Sequence, residues 1–175
     1  MTSDEAVFKA AIRDVPDFPK KGIVFKDITT LLKDPRAFRL AVDRFVELIG
    51  SRPVDKVVAI ESRGFILGGV VADRLGCGFV PVRKPGKLPW RTRRASYELE
   101  YGTDSLEIHE DALAAGERAL IVDDVIATGG TARAVGDLAR GLGASVSAYA
   151  FLVELTFLNG REKLQGSEVL SLIRY

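Results

Sequence analysis

The segment ALIVDDVIATGGT, residues 119–131, predicts the fold. Its first half is a short apolar run of the kind that forms a buried parallel strand, and it ends in two adjacent carboxylates, Asp123 and Asp124. Its second half, from Ala127 to Thr131, contains only small residues and leads into the helical stretch GTARAVGDLARGLG. A strand, a tight turn and a helix in this order are typical of an α/β fold.

The rest of the chain repeats this alternation. Further strands are predicted at KVVAIE (56–61), GFVPVRK (78–84), SVSAYAFLVEL (145–155) and, as an edge strand, SEVLSLIRY (167–175). Helices are predicted over residues 3–14, over 35–49 with Asp34 as the cap, from SRG (62–64) to Gly76, and from residue 130 to an end near Gly141 or Gly143. We therefore predict a parallel sheet with helices on both faces. Two alternating segments, SYELEYG and DSLEIHE, flank Gly102 and predict a β-hairpin that projects as a flap.

Bulk composition narrows the function classes. A length of 175 residues favours one domain. The net charge of +1 offers no global field for nucleic acid or an acidic membrane, and we expect neither as a partner. Cys77 is the only cysteine, so no intrachain disulfide can form. The acidic start of the chain is not a secretory signal, and the apolar runs are shorter than a membrane span. We expect a cytoplasmic protein.

The turn after Asp124 is a candidate anion site. Ligands of parallel α/β sheets sit beyond the carboxyl ends of the strands. The helix N-terminus there offers unpaired N–H groups, and Thr128 and Thr131 add hydroxyl donors. The two carboxylates just before it can accept hydrogen bonds from hydroxyl groups. This combination predicts a binding site for a ribose 5-phosphate. The alternative is that the glycines only allow the turn between strand and helix, and that one aspartate caps the helix.

A second anion site is predicted at the end of the first long strand. ESRGF (61–65) follows KVVAI and begins a helix, so Arg63, Ser62 and the backbone at Gly64 can bind phosphate oxygens. The segment RKPGK adds three cations. These are Arg83, Lys84 and Lys87. As an isolated cluster, this basic segment would equally well be solvated surface.

VDDVIATGGT resembles the phosphoribosyl-pyrophosphate (PRPP) binding motif of the type I phosphoribosyltransferases. The resemblance implies that Asp123 and Asp124 bind the ribose hydroxyls. It assigns the 5-phosphate to the residues of the turn, which are Ala127, Thr128, Gly129, Gly130 and Thr131. SRG resembles the pyrophosphate loop of the family, and RKPGKLP resembles a basic loop that can reach the site of a neighbouring subunit. The pyrophosphate residues implied are Ser62, Arg63, Arg83, Lys84 and Lys87.

Four motifs, RKPGKLP among them, resemble the adenine phosphoribosyltransferases within that family. They are DFPKKGIVFKDIT (17–29), RKPGKLP, SYELEYGTDSLEIH and LVELTFLNGREKL, and the likeness covers roughly residues 15–173. The activity implied is transfer of the 5-phosphoribosyl group from PRPP to adenine, giving AMP and pyrophosphate in purine salvage. Mg²⁺ would bind mainly through PRPP, with the two aspartates nearby and no certain direct protein ligand. A homodimer is expected.

The resemblance also assigns the adenine site and the flap. Phe25, expected in an irregular loop, would stack on the base with Leu158 on the opposite face, and the backbone of Val24 and Lys26 would read the base edge. The catalytic residues implied are Glu100, which would manage the purine ring proton, and Arg63, while Tyr101 would close the flap. One domain is expected over residues 1–175, with a base-binding hood at 1–34 and a core at 35–175 carrying the flap at about 84–110.

Two other functions remain open on sequence. One is a phosphoribosyltransferase for another base, such as xanthine or a 6-oxo purine. The other is a PRPP-binding regulator, which would normally carry an added nucleic-acid module. Trp90 departs from the family pattern, since a polar or basic residue is expected in KLPWRT.

Overall fold

The computed structural model describes residues 3–99 and 102–175. The chain divides into two compact units, residues 1–44 and residues 45–175. The expectation of one domain with a hood at 1–34 stays a prediction. Within the described residues, no helix is both long enough and apolar enough to cross a membrane.

The first unit combines short helices with a two-stranded sheet. It contains α1 (Ser3–Ala11), β1 (Arg13–Pro16), β2 (Val24–Asp27), α2 (Thr29–Leu32) and the first part of α3 (Pro35–Ile49). The α3 helix is confirmed with its cap, because Asp34 Oδ1 accepts the N–H groups of Arg36 and Ala37 at 2.8 and 3.2 Å.

Two details of the first unit correct the prediction. The first helix ends at Ala11 rather than at residue 14, because Arg13 begins a strand that pairs antiparallel with β2. The Arg13 guanidinium also donates to Asp27, its register partner, at 2.5 Å. Phe25 consequently lies in a strand and not in an irregular loop.

The second unit is built on a parallel sheet of five strands in the order β4-β3-β7-β8-β9. Its strands are β3 (Lys56–Ile60), β4 (Gly78–Val82), β7 (Arg118–Ile126), β8 (Ser145–Glu154) and β9 (Val169–Arg174). The connecting helices are α4 (Arg63–Leu75) and α5 (Gly130–Gly141). Two short 3-10 helices, Thr156–Leu158 and Gly160–Leu164, follow β8. The predicted edge strand is confirmed as β9.

Helices cover both faces of this sheet, as predicted. A methyl group placed on Gly68 of α4 would lie 2.5 Å from Ala59 Cβ, so α4 packs on the face that Ala59 presents. On α5, Val135 belongs to a buried cluster with Val58 and Ile60, which point to the opposite face of β3. The chain runs outward from β3 to β4 and in the other direction from β7 to β8. Right-handed crossovers in opposite directions place their helices on opposite faces.

The predicted hairpin is present as β5 (Thr92–Leu99) and β6 (Gly102–His109), which pair antiparallel. The first strand begins at Thr92, inside the range of about 84–110 predicted for the flap. Two backbone hydrogen bonds between Arg83 and Glu107, of 3.0 and 2.7 Å, join the hairpin to the chain after β4. Trp90 packs edge-on against His109 at the base of the hairpin, with a centroid distance of 6.5 Å.

Adjacent glycines of α4 provide a matched test of helix-to-sheet packing. We expect Gly68→Ala to lower the free energy of unfolding by about 1–3 kcal/mol, because the added methyl must push α4 away from Ala59. Gly69→Ala meets no atom within 4 Å and should raise stability by up to about 1 kcal/mol through helix propensity. Urea unfolding of both variants measures the difference. Equal effects would contradict the close packing of α4.

Candidate active site

A crevice lies between the carboxyl ends of β3 and β7, where the direction in which the chain adds strands to the sheet reverses. The chain leaves β3 toward one edge of the sheet and leaves β7 toward the other, so the carboxyl ends of these neighbours flank a topological switch point. A cavity of 280 Å³ lies there. Its lining residues are Ile60, Glu61, Ser62, Arg63, Lys84, Tyr97, Leu106, Asp123, Asp124 and Thr131. The cavity thus brings the two predicted ribose residues and three of the predicted pyrophosphate residues, Ser62, Arg63 and Lys84, together with residues of the flap strands, whereas Arg83 and Lys87 do not line it.

The two aspartates have different environments. They lie inside β7, which continues to Ile126, so the predicted strand end at Asp124 is two residues too early. Asp124 is buried and accepts a hydrogen bond from Arg63 Nε at 2.5 Å. Asp123 is partly buried, and its Oδ1 accepts the Asp124 N–H at 2.8 Å. Burial, and next the charge of Asp124, raise the pKa of Asp123 well above its usual 3.8. A hydrogen bond donated by a group such as a ribose hydroxyl would stabilise the ionised form of Asp123.

A glycine sets the distance between the two halves of the crevice. A methyl group on Gly64, in the first turn of α4, would lie 2.8 Å from Asp123 Oδ1 and 3.1 Å from the Val122 carbonyl oxygen. Only a residue without a side chain lets the N-terminus of α4 come this close to β7. The N–H groups of that first turn therefore lie beside the carboxylates.

The turn after β7 has the form expected of an anion site. Gly129 has a φ of +77°, a left-handed conformation that favours glycine, and α5 begins directly after it. Among the described side chains, none caps the start of α5 by a hydrogen bond. Its first N–H groups thus remain available to a phosphate. Ala127, Thr128, Gly130 and Thr131 are all partly exposed around this point.

The sequence did not indicate Gly160, whose backbone packs against the turn that follows β7. A methyl group on Gly160 would collide with the Ala127 carbonyl oxygen, and one on Gly129 would collide with the Gly160 carbonyl oxygen. The two backbones are therefore in direct contact. Gly160 lies within the motif LNGREKL, but no local pattern indicates a partner about thirty residues earlier in the chain.

Three of the predicted pyrophosphate residues, Arg63, Arg83 and Lys84, form ion pairs with acidic side chains. Arg83 Nε donates to Glu61 Oε2 at 2.6 Å, and the other oxygen of Glu61 accepts the Lys84 N–H at 3.1 Å. Burial alone would raise the pKa of Glu61, but these hydrogen bonds lower it overall. Lys84 Nζ forms an ion pair with Asp104 of β6. Lys87 is exposed. Glu61 and Asp104 are thus the acids that orient the basic segment.

The predicted adenine residues are distributed over both units. In the first unit, Phe25 is partly buried against the edge of Phe18, at a centroid distance of 5.3 Å. Val24 is exposed, and Lys26 Nζ forms an ion pair of 2.7 Å with Asp14. In the second unit, Leu158 lies at the end of a 3-10 helix and is partly buried. A shared base site stays a prediction.

The predicted catalytic and flap residues Glu100 and Tyr101 lie outside the described residues. Their roles also stay predictions.

Oxygen donors in the crevice suit a hard cation. Asp123 and Asp124 both line the cavity, and carboxylate oxygens are the ligands that Mg²⁺ prefers. In the described part of the chain, no group of three or more histidine, cysteine or acidic side chains is arranged to hold a metal. The donor set fits a Mg²⁺ ion that keeps waters or takes further oxygens from a substrate.

Comparison with known proteins identifies the family. Residues 27–165 match the family model described as the phosphoribosyl transferase domain. A protein of Thermotoga neapolitana named adenine phosphoribosyltransferase is 61% identical over 167 residues, which cover 95% of this chain and 98% of that protein. The chain belongs to the adenine phosphoribosyltransferase branch of the phosphoribosyltransferase family. The recognition from the motifs is thereby confirmed.

Solved structures of adenine phosphoribosyltransferases share the fold. The enzyme of Thermoanaerobacter pseudethanolicus superposes with a TM-score of 0.96 at 54% identity, covering 98% of this chain and 99% of that one. The enzyme of Saccharomyces cerevisiae, solved with an imino-altritol bisphosphate and adenine, gives 0.90 at 42% identity, with 98% and 99% covered. The predicted fold class is therefore confirmed.

The carboxylate pair at residues 123 and 124 predicts a pH-dependent stability. Because the folded protein raises the pKa of Asp123, folding favours its protonated form, and stability falls as pH rises from about 3.8 to the raised pKa. Asp123→Asn should therefore gain stability over wild type across that range, at up to about 1.4 kcal/mol per pH unit, and keep the gain at neutral pH. Unfolding in urea at several pH values measures this.

Asp124→Asn is the matched control for that series. It removes the charged partner of Arg63 and should lower stability at neutral pH. An Asp123→Asn variant that is no more stable than wild type at pH 7 would contradict the raised pKa assigned to the Asp123 carboxyl group.

The contact between Gly160 and the turn predicts an effect on PRPP binding. Gly160→Ala must displace the Ala127 carbonyl group, and about 1–3 kcal/mol of such strain would weaken PRPP binding about tenfold or more. Isothermal titration calorimetry with PRPP and Mg²⁺ measures the affinity. Gly141→Ala, which meets no atom within 4 Å at the end of α5, is the control. An unchanged affinity in a folded Gly160→Ala protein would refute the supporting role of Gly160.

Proposed function

We propose that this protein transfers the 5-phosphoribosyl group of PRPP to adenine, releasing AMP and pyrophosphate. The observation that carries the proposal is the crevice between β3 and β7, where a carboxylate pair lies beside the uncapped start of α5. Relatives at 54–61% identity with nearly complete coverage carry the name of this activity. A carboxylate pair and a phosphate-binding turn at this spacing suit one ribose 5-phosphate.

In this proposal, the turn binds the 5-phosphate and the aspartates bind the ribose. The N–H groups at the start of α5 and the hydroxyls of Thr128 and Thr131 donate to phosphate oxygens. Asp124, oriented by Arg63, and Asp123 accept hydrogen bonds from the two ribose hydroxyls. Fixing both ends of the sugar sets the direction in which the anomeric carbon faces.

Ser62, Arg63 and Lys84 are the residues of the crevice that would bind the pyrophosphate. Arg83 and Lys87 extend this basic surface outside the cavity. Mg²⁺, when bound with PRPP, supplies positive charge that stabilises the leaving pyrophosphate, and the carboxylates at 123 and 124 would be its nearest protein groups. Arg63 thus serves both the leaving group and the orientation of Asp124.

The base is proposed to stack on Phe25 and Leu158, with the backbone of Val24 and Lys26 reading its edge. The bond from the anomeric carbon to pyrophosphate breaks as an imidazole-ring nitrogen of adenine forms the new bond. The ring proton leaves to Glu100, and Tyr101 helps exclude water. A 6-oxo purine presents an acceptor where adenine presents its amine, so a backbone carbonyl at that edge would reject it.

Three wider features belong to the same proposal. We place the protein in the cytoplasm, as a homodimer whose basic loop reaches the neighbouring site, with residues 1–175 acting as one domain. The alternatives are a phosphoribosyltransferase for another base and a PRPP-binding regulator. The same assay separates all of these activities.

The test is a comparison of bases. Purified protein with PRPP and Mg²⁺ receives adenine, guanine, hypoxanthine or xanthine in separate reactions, and nucleotide and pyrophosphate are quantified. We expect AMP in the adenine reaction only. Asp124→Asn should lose about 10- to 100-fold in kcat/KM, since a hydrogen bond to a charged group is worth about 1.5–3 kcal/mol.

Other outcomes have distinct meanings. Turnover of another base would keep the PRPP site and overturn the adenine assignment. PRPP binding without turnover of any base would favour the regulator.

A further inference from the structure

A second cavity lies outside the candidate active site. It has a volume of 330 Å³ and lies between α5 and the end of the 3-10 helix at Gly160–Leu164. Its lining residues are Arg133, Asp137, Arg140, Tyr149, Lys163, Leu164, Gln165 and Gly166. The active-site cavity shares none of these residues. The volume is in the range of small-molecule sites, which begin at about 300 Å³.

The cavity wall carries an excess of positive charge. Three cationic residues, Arg133, Arg140 and Lys163, line the cavity together with one acidic residue, Asp137. Arg133 Nε lies 2.9 Å and Arg140 Nη1 lies 3.2 Å from Asp137 oxygens, so two guanidinium groups share a single carboxylate. The wall therefore keeps two uncompensated positive charges, on a chain whose net charge is only +1.

A buried hydroxyl group faces the same cavity. Tyr149 is fully buried, and its hydroxyl oxygen accepts a hydrogen bond from Arg140 Nη2 at the long distance of 3.5 Å. Within residues 3–99 and 102–175, no hydrogen bond has this hydroxyl as its donor. Burial raises the pKa of Tyr149, so the phenol keeps its proton at neutral pH. A buried O–H without an acceptor is unfavourable, and an anion in the cavity would satisfy it.

The helix opposite makes room for this hydroxyl. A methyl group on Gly136 would collide with the Tyr149 oxygen, so glycine is the residue that allows the phenol to reach the cavity. On α5, Arg133, Asp137 and Arg140 lie one helical turn apart around this position, which places their head groups at the same mouth.

We propose that this cavity is a second anion site, which binds the phosphate group of inorganic phosphate or of a small phosphate monoester. A phosphate dianion matches the two uncompensated charges. Guanidinium groups donate to phosphate oxygens in pairs, and the Tyr149 O–H supplies a further donor from the cavity floor. The site is separate from the turn after β7, which is built for the phosphate of PRPP.

The test is an amide NMR titration of the full chain with inorganic phosphate. Two groups of amide shifts are expected, one at residues 127–131 and one at residues 133–140 and 163–166, and the two should saturate at different concentrations. A second titration with glucose 6-phosphate shows whether a monoester binds more tightly than inorganic phosphate. Shifts in the second group that are absent, or that follow the turn in every titration, would overturn the proposal.

Variants assign the binding to the named side chains. Arg133→Gln combined with Arg140→Gln should abolish the saturable shifts at 163–166 while the turn still responds, which also shows that the variant is folded. Tyr149→Phe should weaken binding about tenfold, as expected for a lost donor to a charged group. Arg36→Gln combined with Arg39→Gln removes the same charge from α3 and should change nothing. Persistence of the second group in the first double variant would refute the assignment.

Discussion

The parallel pairing of β3 with β7 is the interaction on which both the sheet and the candidate site depend. Lys56 pairs with Ala119 and Ala59 with Val122, so strands about sixty residues apart in sequence become neighbours. Their ends then place Arg63 next to Asp124. Because the chain leaves the two strands in opposite directions, α4 and α5 lie on opposite faces of the sheet, and a crevice lies at the carboxyl ends of the two strands.

Close backbone approach shapes this crevice further. Gly64 brings α4 against Asp123, and Gly160 brings the 3-10 segment against the turn at Gly129. The result is a site in which donors are concentrated and one carboxylate is held in an unfavourable environment. Such an arrangement lowers the stability of the free protein, and a ligand that donates hydrogen bonds there recovers part of that free energy. Stability and ligand binding are thus opposed at Asp123.

Local sequence patterns predicted the sheet and most of the helices well, because strand, turn and helix signals lie within a few residues of each other, as in ALIVDDVIATGGT. The prediction errors lie where contacts between residues distant in sequence determine the structure. The strands β1 and β2 have four residues each and no clean alternation of apolar and polar residues. Their pairing, in which Arg13 lies opposite Asp27, is seen only in the structure. Likewise, Asp104 and Gly160 act through partners distant in sequence. No pattern within a window of ten residues can reveal them.

The contact between Lys84 and Asp104 connects the candidate pyrophosphate site to the hairpin. Burial tends to lower the pKa of Lys84, but Asp104 raises it overall, so the amine stays charged. The lysine side chain is 42% exposed, and an ion pair this open to solvent is worth only about 0–1 kcal/mol. In the proposed function, Lys84 would therefore exchange Asp104 for a pyrophosphate oxygen at little cost in free energy. The backbone bridge between Arg83 and Glu107 keeps the basic segment attached to β6 during that exchange. If Lys84 binds the leaving group as proposed, that binding and the position of the hairpin are linked through one side chain.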